Sequence, residues 1–139
     1  MLGKADFVLI EGAGGWRVPI NPRETLADVA IQLRVGVILV VGMRLGCINH
    51  ALLTAEAIRR DGLQLTGWVA NQPGPRMARH EENLETLRQM LPAPLLGDVP
   101  FLQHWAATEA AKHINLQSWL EQQVYTKRST VCTLAPLIK

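Results

Sequence analysis

The sequence predicts an α/β protein built on a mostly parallel sheet with helices on both faces. Two observations predict it. Continuous apolar runs alternate with segments whose apolar residues recur at helical spacing, and each apolar run ends in glycine or polar residues. Alternation of this kind produces right-handed strand-helix-strand crossovers and therefore parallel strands. A chain of 139 residues has the usual size of one domain with a single core.

The individual elements follow from the same patterns. Uninterrupted apolar runs predict strands, apolar residues at helical spacing predict helices, and Thr25, Gly36 and Pro92 mark helix ends. Strands are expected at 6–11, 37–41, 66–70 and from 95 onward, and helices at 25–34, 48–58 and 84–91.

Composition and charge exclude several classes of protein. Apolar residues make up 48% and charged residues 19%, which excludes a disordered chain and a charged coiled coil. The 14 basic and 12 acidic residues are scattered, so no basic stripe indicates nucleic-acid binding. Cys47 and Cys132 form no C-x-x-C pair, and the apolar run 35–43 is shorter than the roughly 20 residues that a bilayer requires. We expect a cytoplasmic protein with no membrane association.

Ligands of parallel sheets bind at the carboxyl ends of the strands. Polar and glycine residues follow the predicted strands there, at Glu11, Gly42–Asn49, Asn71 and Pro100. The sequence therefore predicts that Glu11, Gly46 and Asn71 lie on one rim of the sheet.

The first candidate site is Glu11–Gly15. A carboxylate at a strand tip can hold Mg²⁺, and glycines allow backbone N–H groups to close on phosphate oxygens. A tight turn beside a solvated glutamate explains the same residues equally well.

The second candidate site is Leu45–His50, where Gly46 precedes a helix whose first N–H groups attract a carboxylate or a phosphate. Asn49 offers a further donor. Cys47 is better explained as a small packed residue than as a nucleophile, and His50 as a surface residue.

A third candidate site follows the predicted strand at 66–70. Asn71 suits the edge of an adenine, although an Asx turn is an alternative. Arg76, Arg79 and His80 are within reach of phosphates in this reading, whereas solvated charges beside a loop are the simpler interpretation.

Four runs of residues carry a resemblance to a known family: DFVLIEGAGGW, VILVVGMRLGCINHALLTAEAI, GWVAN and PAPLLGDVPFL. Together they resemble the C-terminal half of dethiobiotin synthases over residues 6–116. The N-terminal P-loop half of that family is absent, since no G-x-x-x-x-G-K-[ST] motif occurs in the sequence.

The resemblance implies a partial P-loop NTPase-like fold, a homodimer, and ATP and Mg²⁺ as requirements. It also implies that 7,8-diaminononanoate and CO₂ are joined into dethiobiotin, a ligase reaction of biotin biosynthesis. The family's catalytic lysines belong to the absent half. We therefore expect no catalytic residue in this chain and no activity from the chain alone.

The resemblance also assigns roles to residues. Glu11 matches the metal ligand, and Gln72 and Asn83 depart from the family's usual aspartate and aromatic residue. The ATP-binding residues it implies are Glu11, Gly12, Ala13, Gly14, Asn71, Gln72, Pro100, Phe101 and Leu102, and the substrate-binding residues are Gly15, Gly46, Cys47, Ile48 and Asn49.

Residues 1–118 are interpreted as this synthase-like part, and residues 119–139 as an atypical tail. In the tail, Trp119, Leu120 and Val124 extend a helix and the remainder is expected to be a loose end. Three alternatives remain open. They are a non-catalytic nucleotide-binding or dimerisation module, a fragment of a cobyric-acid-synthase-like amidotransferase, and a partition-type ATPase.

Overall fold

The computed structural model of the protein describes residues 8–117, 119–121 and 130–135. Strands and helices alternate along these residues, as the apolar patterns predict. Their order is β1 (Val8–Ala13), α1 (Leu26–Leu33), β2 (Gly36–Gly42), α2 (Cys47–Arg60), β3 (Leu65–Asn71), α3 (His80–Met90), β4 (Leu95–Val99), α4 (Ala107–Ala111) and β5 (Thr130–Ala135).

The strands form one sheet in the order β1-β5-β2-β3-β4, and every neighbouring pair is parallel. The prediction of a parallel α/β fold is confirmed. Because all strands run in the same direction, their carboxyl ends lie toward one edge of the sheet, where the connecting loops leave for the helices.

The tail prediction is wrong for residues 130–135. They form β5, which lies between β1 and β2 and pairs with both, so this part of the tail is a central strand and not a loose end. Without β5, the facing edges of β1 and β2 would have unpaired N–H and C=O groups, and β5 pairs with both edges. Residues 119–121 are helical, as expected, whereas Val124 lies outside the described residues.

The end of β1 differs from the prediction, whereas α1 lies between Thr25 and Arg34 as expected. β1 runs on through Ala13, two residues beyond its expected end at Glu11. In α1, the Thr25 amide and hydroxyl both donate to Asp28 Oδ2 at 2.7 Å, which starts the helix. The helix ends at Arg34, whose left-handed φ of 52° turns the chain before Gly36 is reached.

The core lies mainly on one face of the sheet. Helices α1, α2 and α3 cover this face and bury Val37, Ile58, Trp68 and Leu87 almost completely. The opposite face is covered over β2–β4 by the short α4 and by Trp119, whose indole N–H donates to the carbonyl of Thr66 at 3.0 Å. Helical residues thus lie on both faces, but the helices on the first face are longer and bury more residues than those on the second. In the described part of the chain, no helix has the length and apolar character needed to cross a membrane.

Candidate functional site

Three neighbouring strands end side by side at the carboxyl edge. Gly42, Asn71 and Val99 are register partners on β2, β3 and β4. Two hydrogen bonds hold the first residues of the following loops against this row. The Met43 amide donates to the Asn71 carbonyl at 2.8 Å, and the Gln72 amide donates to the Val99 carbonyl at 2.9 Å. The residues that follow β2, β3 and β4 therefore begin within one row of the sheet.

Glu11 lies away from that row. It is level with Thr133 of β5, which in turn is level with Ile38 of β2, four residues before Gly42. At the rise of a parallel strand, four residues correspond to about 13 Å. The prediction that Glu11 lies at a strand tip on the same rim is therefore wrong. Its side chain is exposed, and β1 continues to Ala13.

The glycines after β1 form the predicted turn. Gly14 and Gly15 have φ angles of 85° and 115°, a conformation that side chains with a Cβ rarely adopt. A Cβ on Gly14 would lie 3.1 Å from a methyl group of Val18, whereas a Cβ on Gly15 would meet no atom within 4 Å. The backbone at Gly15 therefore borders open space.

The next residue directs the loop away from the carboxyl edge. Trp16 is buried, and its indole N–H donates to Asp61 Oδ2 at 2.6 Å, while Arg17 donates to Asp61 Oδ1 at 2.7 Å. Asp61 follows the last residue of α2, and the 14 residues of that helix span about 21 Å. Trp16 thus lies at the opposite end of α2 from Gly46. The sequence analysis missed this contact, although a tryptophan directly after a glycine turn is a signal for an anchored loop.

The start of α2 has the form that the sequence predicts. Gly46 caps the helix with a left-handed φ of 90°, and the Cys47 amide donates to the Arg44 carbonyl at 3.0 Å. The next two amides, of Ile48 and Asn49, have no carbonyl within the helix to bond to, and the first turn carries no acidic residue. This end of α2 therefore favours an anion.

The side chains at this helix start divide into one that is buried and two that are exposed. The Cys47 thiol is buried in the core, which agrees with its interpretation as a packed residue. Asn49 and His50 are exposed. A small cleft of about 40 Å³, lined in part by Gly42, Arg44 and His50, opens beside the helix start.

A partly buried polar cluster lies at the carboxyl ends of β3 and β4. The Nε2 atom of His80 lies 2.9 Å from Asp98 Oδ2, and Gln72 Nε2 donates weakly to Asp98 Oδ1 at 3.5 Å. His80 is only 2% exposed, and its Nδ1 atom has no hydrogen-bond partner among the described residues. Asn71 is partly exposed next to this cluster. The cluster holds the Gln72 side chain inward and leaves Asn71 nearer to solvent.

Sequence reasoning did not identify the His80–Asp98 pair. It treated His80 as a charge beside a loop, and the acidic residue eighteen positions later gave no local signal. The interpretation of Arg76 and Arg79 as solvated charges agrees with the structure, because they pair with Glu81 and Glu82 on the surface. The hydrogen bond from Arg79 lowers the pKa of the Glu82 carboxyl below its usual value.

The loop after β4 completes this edge. Pro100 and Leu102 are partly buried and Phe101 is about half exposed. Asn83, the other departure from the resemblance, is partly buried and its amide donates to the sulfur of Met77 at 3.5 Å. The structure therefore brings together Asn71, Gln72 and the loop 100–102, with the start of α2 at the same edge, and it places the segment 11–15 apart from them.

Metal ligands are sparse in the described residues. Within them, no group of three or more His, Cys, Asp or Glu side chains is placed to hold a metal ion. The Glu11 carboxylate is exposed, and it is the one carboxylate among residues 11–15 of the described chain. Mg²⁺ is commonly held by one or two carboxylates together with phosphate oxygens and water, so a single carboxylate fits part of such a site.

Comparisons with known proteins find curated relatives that match most of this chain. The chain is 60% identical over 120 residues to the ATP-dependent dethiobiotin synthetase BioD of Cellvibrio japonicus. This alignment covers 86% of this chain and 53% of that protein. It is 59% identical over 114 residues to the protein of the same name from Pseudomonas aeruginosa strain PAO1, with 82% and 50% covered. It is 51% identical over 118 residues to the protein of the same name from Pseudescherichia vulneris, and the alignment covers 85% of this chain and 47% of that protein. The chain spans about half the length of these curated relatives.

A family model described as an AAA domain matches residues 1–128. This match includes β1 to α4 and ends before β5. The resemblance noted for residues 6–116 is confirmed by the relatives, all of which are named dethiobiotin synthetases. With the family model covering nearly the whole sequence, the chain belongs to this AAA domain family and is similar to dethiobiotin synthetases over most of its length.

Proposed function

We propose that this chain forms the part of a dethiobiotin synthetase that receives the base of ATP and the carboxylate tail of 7,8-diaminononanoate. The observation that carries the proposal is its 60% identity over 120 residues to a protein named ATP-dependent dethiobiotin synthetase. In the proposed reaction, one amine of the substrate adds to CO₂ and forms a carbamate. The γ-phosphate of ATP is transferred to a carbamate oxygen, and the second amine then displaces phosphate to close a cyclic urea.

The base of ATP is proposed to bind at the carboxyl edge of the sheet, between Asn71 and the loop 100–102. Asn71 offers both a donor and an acceptor for an adenine edge, and it is more accessible than the buried Gln72. Phe101 is about half exposed, and an aromatic ring can stack on a base. The His80–Asp98 pair supports this arrangement, because it restrains Gln72 beneath the row.

The substrate carboxylate is proposed to bind at the start of α2. The amides of Ile48 and Asn49 point out of the first turn, and the exposed Asn49 side chain adds a donor. The helix dipole favours a negative charge at this end. Binding here holds the distant end of the substrate and leaves its two amines free, so the contribution to catalysis is positioning.

The metal role proposed for Glu11 is that of one carboxylate ligand. Mg²⁺ bound there with the phosphates supplies charge neutralisation during phosphoryl transfer. Glu11 lies about 13 Å from the row of Asn71 along the strand direction, from the register of the strands. That separation is compatible with one extended nucleotide whose base and phosphates occupy different places. The open backbone at Gly15 is proposed to orient the reacting groups nearby.

The proposal is tested by measuring the activity of a chimera. The 114 aligned residues of the Pseudomonas aeruginosa synthetase are replaced by the matching residues of this chain. Dethiobiotin is then measured by mass spectrometry with 7,8-diaminononanoate, bicarbonate, ATP and Mg²⁺. We expect product from the chimera and none from its Glu11→Gln variant. A folded chimera without product refutes the proposal.

The proposed site for the substrate carboxylate is tested in the same chimera with Asn49→Ala. Loss of a hydrogen bond to a charged group costs about 1.5 to 3 kcal/mol, so the KM for the diamine should rise about tenfold to a hundredfold while the KM for ATP changes little. Leu53→Ala, which lies one turn further along α2 and is 56% exposed, is the matched control and should leave both constants unchanged. An unchanged KM for the diamine with a lower melting temperature would instead assign Asn49 to helix capping.

The chain by itself is proposed to make no dethiobiotin. No G-x-x-x-x-G-K-[ST] loop occurs in its sequence, and without such a loop most of the charge on the triphosphate is uncompensated. The same observation favours the second candidate function, a non-catalytic nucleotide-binding or dimerisation module. Product formed by the purified chain, and lost in Glu11→Gln, would exclude that candidate. We further propose a cytoplasmic homodimer, whose stoichiometry is measured by light scattering.

A further inference from the structure

One carboxylate contacts both ends of the loop that joins β3 to α3. Gln72 is the first residue of this loop, and His80 is the first residue of α3. Gln72 Nε2 donates to Asp98 Oδ1 at 3.5 Å, and His80 Nε2 lies 2.9 Å from Asp98 Oδ2. Asp98 belongs to β4, so these three residues, which we call the carboxylate clamp, tie the loop to that strand.

The chemistry of the carboxylate decides which atoms of the clamp carry protons. A carboxylate accepts hydrogen bonds only, so His80 donates to Asp98 through a proton on Nε2. The other ring nitrogen, Nδ1, is buried and has no hydrogen-bond partner among the described residues. Within the described part of the chain, the contact with Asp98 is therefore the hydrogen bond that orients the imidazole ring.

His80 is too deeply buried to contact a nucleotide itself. Its side chain is 2% exposed, whereas the Asp98 side chain is 29% exposed. The carboxylates that follow His80 on α3, Glu81 and Glu82, form their ion pairs on the surface. An effect of His80 on a bound ligand would therefore have to pass through Asp98.

The clamp lies beside the residues to which the base of ATP is assigned. Asn71 precedes Gln72 and is level with Val99, the residue after Asp98. The Gln72 amide also donates to the Val99 carbonyl at 2.9 Å, so a second hydrogen bond joins the ends of β3 and β4. The loop 100–102 begins at the next residue. A displacement of Asp98 would therefore change the position of this loop relative to Asn71.

We propose that His80 is a positioning residue for nucleotide binding. By holding Asp98, it fixes the separation between Asn71 and the loop 100–102, so that the base of ATP fits between them. This inference rests on the base site proposed above and adds a residue that acts on that site without touching the nucleotide. The base is remote from the transferred phosphate, so its contacts are equal in the ground state and the transition state. Loss of the clamp should therefore raise the KM for ATP and leave kcat nearly unchanged.

Two variants of His80 separate positioning from packing. His80→Leu fills the buried space without a donor, whereas His80→Gln supplies a side-chain N–H in place of the one on Nε2. Thr66→Val is the matched control. The Thr66 hydroxyl is buried and donates to the Val37 carbonyl at 3.1 Å, near the opposite end of β3. The control therefore loses a buried hydrogen bond of the same strand, about 20 Å along the strand from Gln72.

The first measurement uses the full 139-residue chain without nucleotide. NMR of the ring nitrogens should show a proton on Nε2 of His80. Hydrogen exchange of the Gln72 amide should be about tenfold faster in His80→Leu, because the ends of β3 and β4 separate more often when the clamp is lost. The rate should stay near that of the unmodified chain in His80→Gln and Thr66→Val. An Nε2 atom without a proton, or equal acceleration in His80→Leu and Thr66→Val, would overturn the proposal.

The second measurement uses the chimera at a temperature at which every variant is folded. The KM for ATP, and the Kd for ATP from calorimetry, should rise about fivefold or more in His80→Leu, with kcat within about twofold and the KM for the diamine unchanged. His80→Gln should recover most of the loss, and Thr66→Val should match the unmodified chimera.

Two results of this second measurement count against His80. One is an equal rise in the KM and Kd for ATP in His80→Leu and Thr66→Val, and the other is a fall in kcat with unchanged affinity for ATP. A chimera that binds ATP but makes no dethiobiotin counts against the proposed reaction alone, since the Kd comparison still decides the role of His80. A folded chimera that binds no ATP overturns both proposals.

Discussion

Replacing Gly97 by alanine tests how the short helical layer is attached to the sheet. Gly97 lies in β4 and forms an antiparallel bridge with Ile114, and the neighbouring Asn115 amide donates to the Leu96 carbonyl at 2.8 Å. A Cβ at Gly97 would lie 2.3 Å from the His113 carbonyl oxygen and 3.0 Å from the Ile114 Cα. Both are backbone atoms, so no side-chain rotation relieves the overlap and the segment must move away from β4.

The size of the effect follows from these contacts. Overpacking in a close-packed region costs about 1 to 3 kcal/mol, and the hydrogen bond of Asn115 contributes about 0.5 to 1.5 kcal/mol more if it is lost. We therefore expect Gly97→Ala to lower the free energy of unfolding by about 2 to 4 kcal/mol. For a domain of this size, that corresponds to a fall in melting temperature of about 6 to 15 °C.

Thermal unfolding followed by circular dichroism measures the change. Gly74→Ala is the matched control, because a Cβ there would meet no heavy atom within 4 Å and its φ is not left-handed. The control should change the melting temperature by no more than about 3 °C, with a small increase expected from the reduced freedom of the unfolded chain. The conversion is about 3 to 4 °C for each kcal/mol. If the melting temperature of Gly97→Ala lies within about 2 °C of that of the unmodified protein, the close approach of residues 113–114 to β4 is refuted.

Three further predictions concern other contacts. Asp98→Ala leaves buried His80 without its partner and should lower stability by about 1 to 3 kcal/mol in urea unfolding, whereas Asp98→Asn retains an acceptor and should cost less. Thr133→Pro interrupts the pairing of β5 with both neighbouring strands and should cost about 3 kcal/mol or more, so an unchanged urea midpoint would contradict the central position of β5. Hydrogen bonds from the Thr25 backbone and side chain hold the pKa of Asp28 below 3.8, so the stabilisation they give is present above that value and is lost as the pH falls through the lowered pKa. An NMR titration should show a partial rise in the pKa of Asp28 in Thr25→Val, because the amide of residue 25 still donates to the carboxylate, and no rise would count against the hydrogen bond from the Thr25 hydroxyl.

Several features of the fold could be predicted from the sequence because they depend on neighbouring residues. The apolar run 37–41 is long enough for a strand and too short for a helix, and it is the core of β2. Gly46 precedes a helix at its expected position, since a left-handed cap there suits glycine. The parallel direction of the strands follows from the helices that connect them, and with it the common edge of Asn71 and the start of α2.

The candidate site was predictable only in part. The residues around Asn71 and Gly46 follow strands whose ends are set by local pattern. Glu11 was expected on the same rim, but its level in the sheet depends on the register between β1, β5 and β2. Shifts between parallel strands are decided by pairing across the sheet, and no residue near Glu11 records them. His80 and Asp98 meet for a similar reason, because the loop after β3 folds back onto the end of β4.

The sequence by itself determined the family, the alternation of strands and helices and the direction of the sheet. Only the tertiary structure decided that residues 130–135 form a central strand, that the segment 11–15 lies apart from the start of α2, and that one face of the sheet is left with a thin cover. Local patterns encode which residues are apolar and where a chain can turn. The identity of a strand's neighbours depends instead on contacts between residues far apart in the chain, and in β5 these partners are about 120 residues away in β1, as Glu11 and Thr133 illustrate.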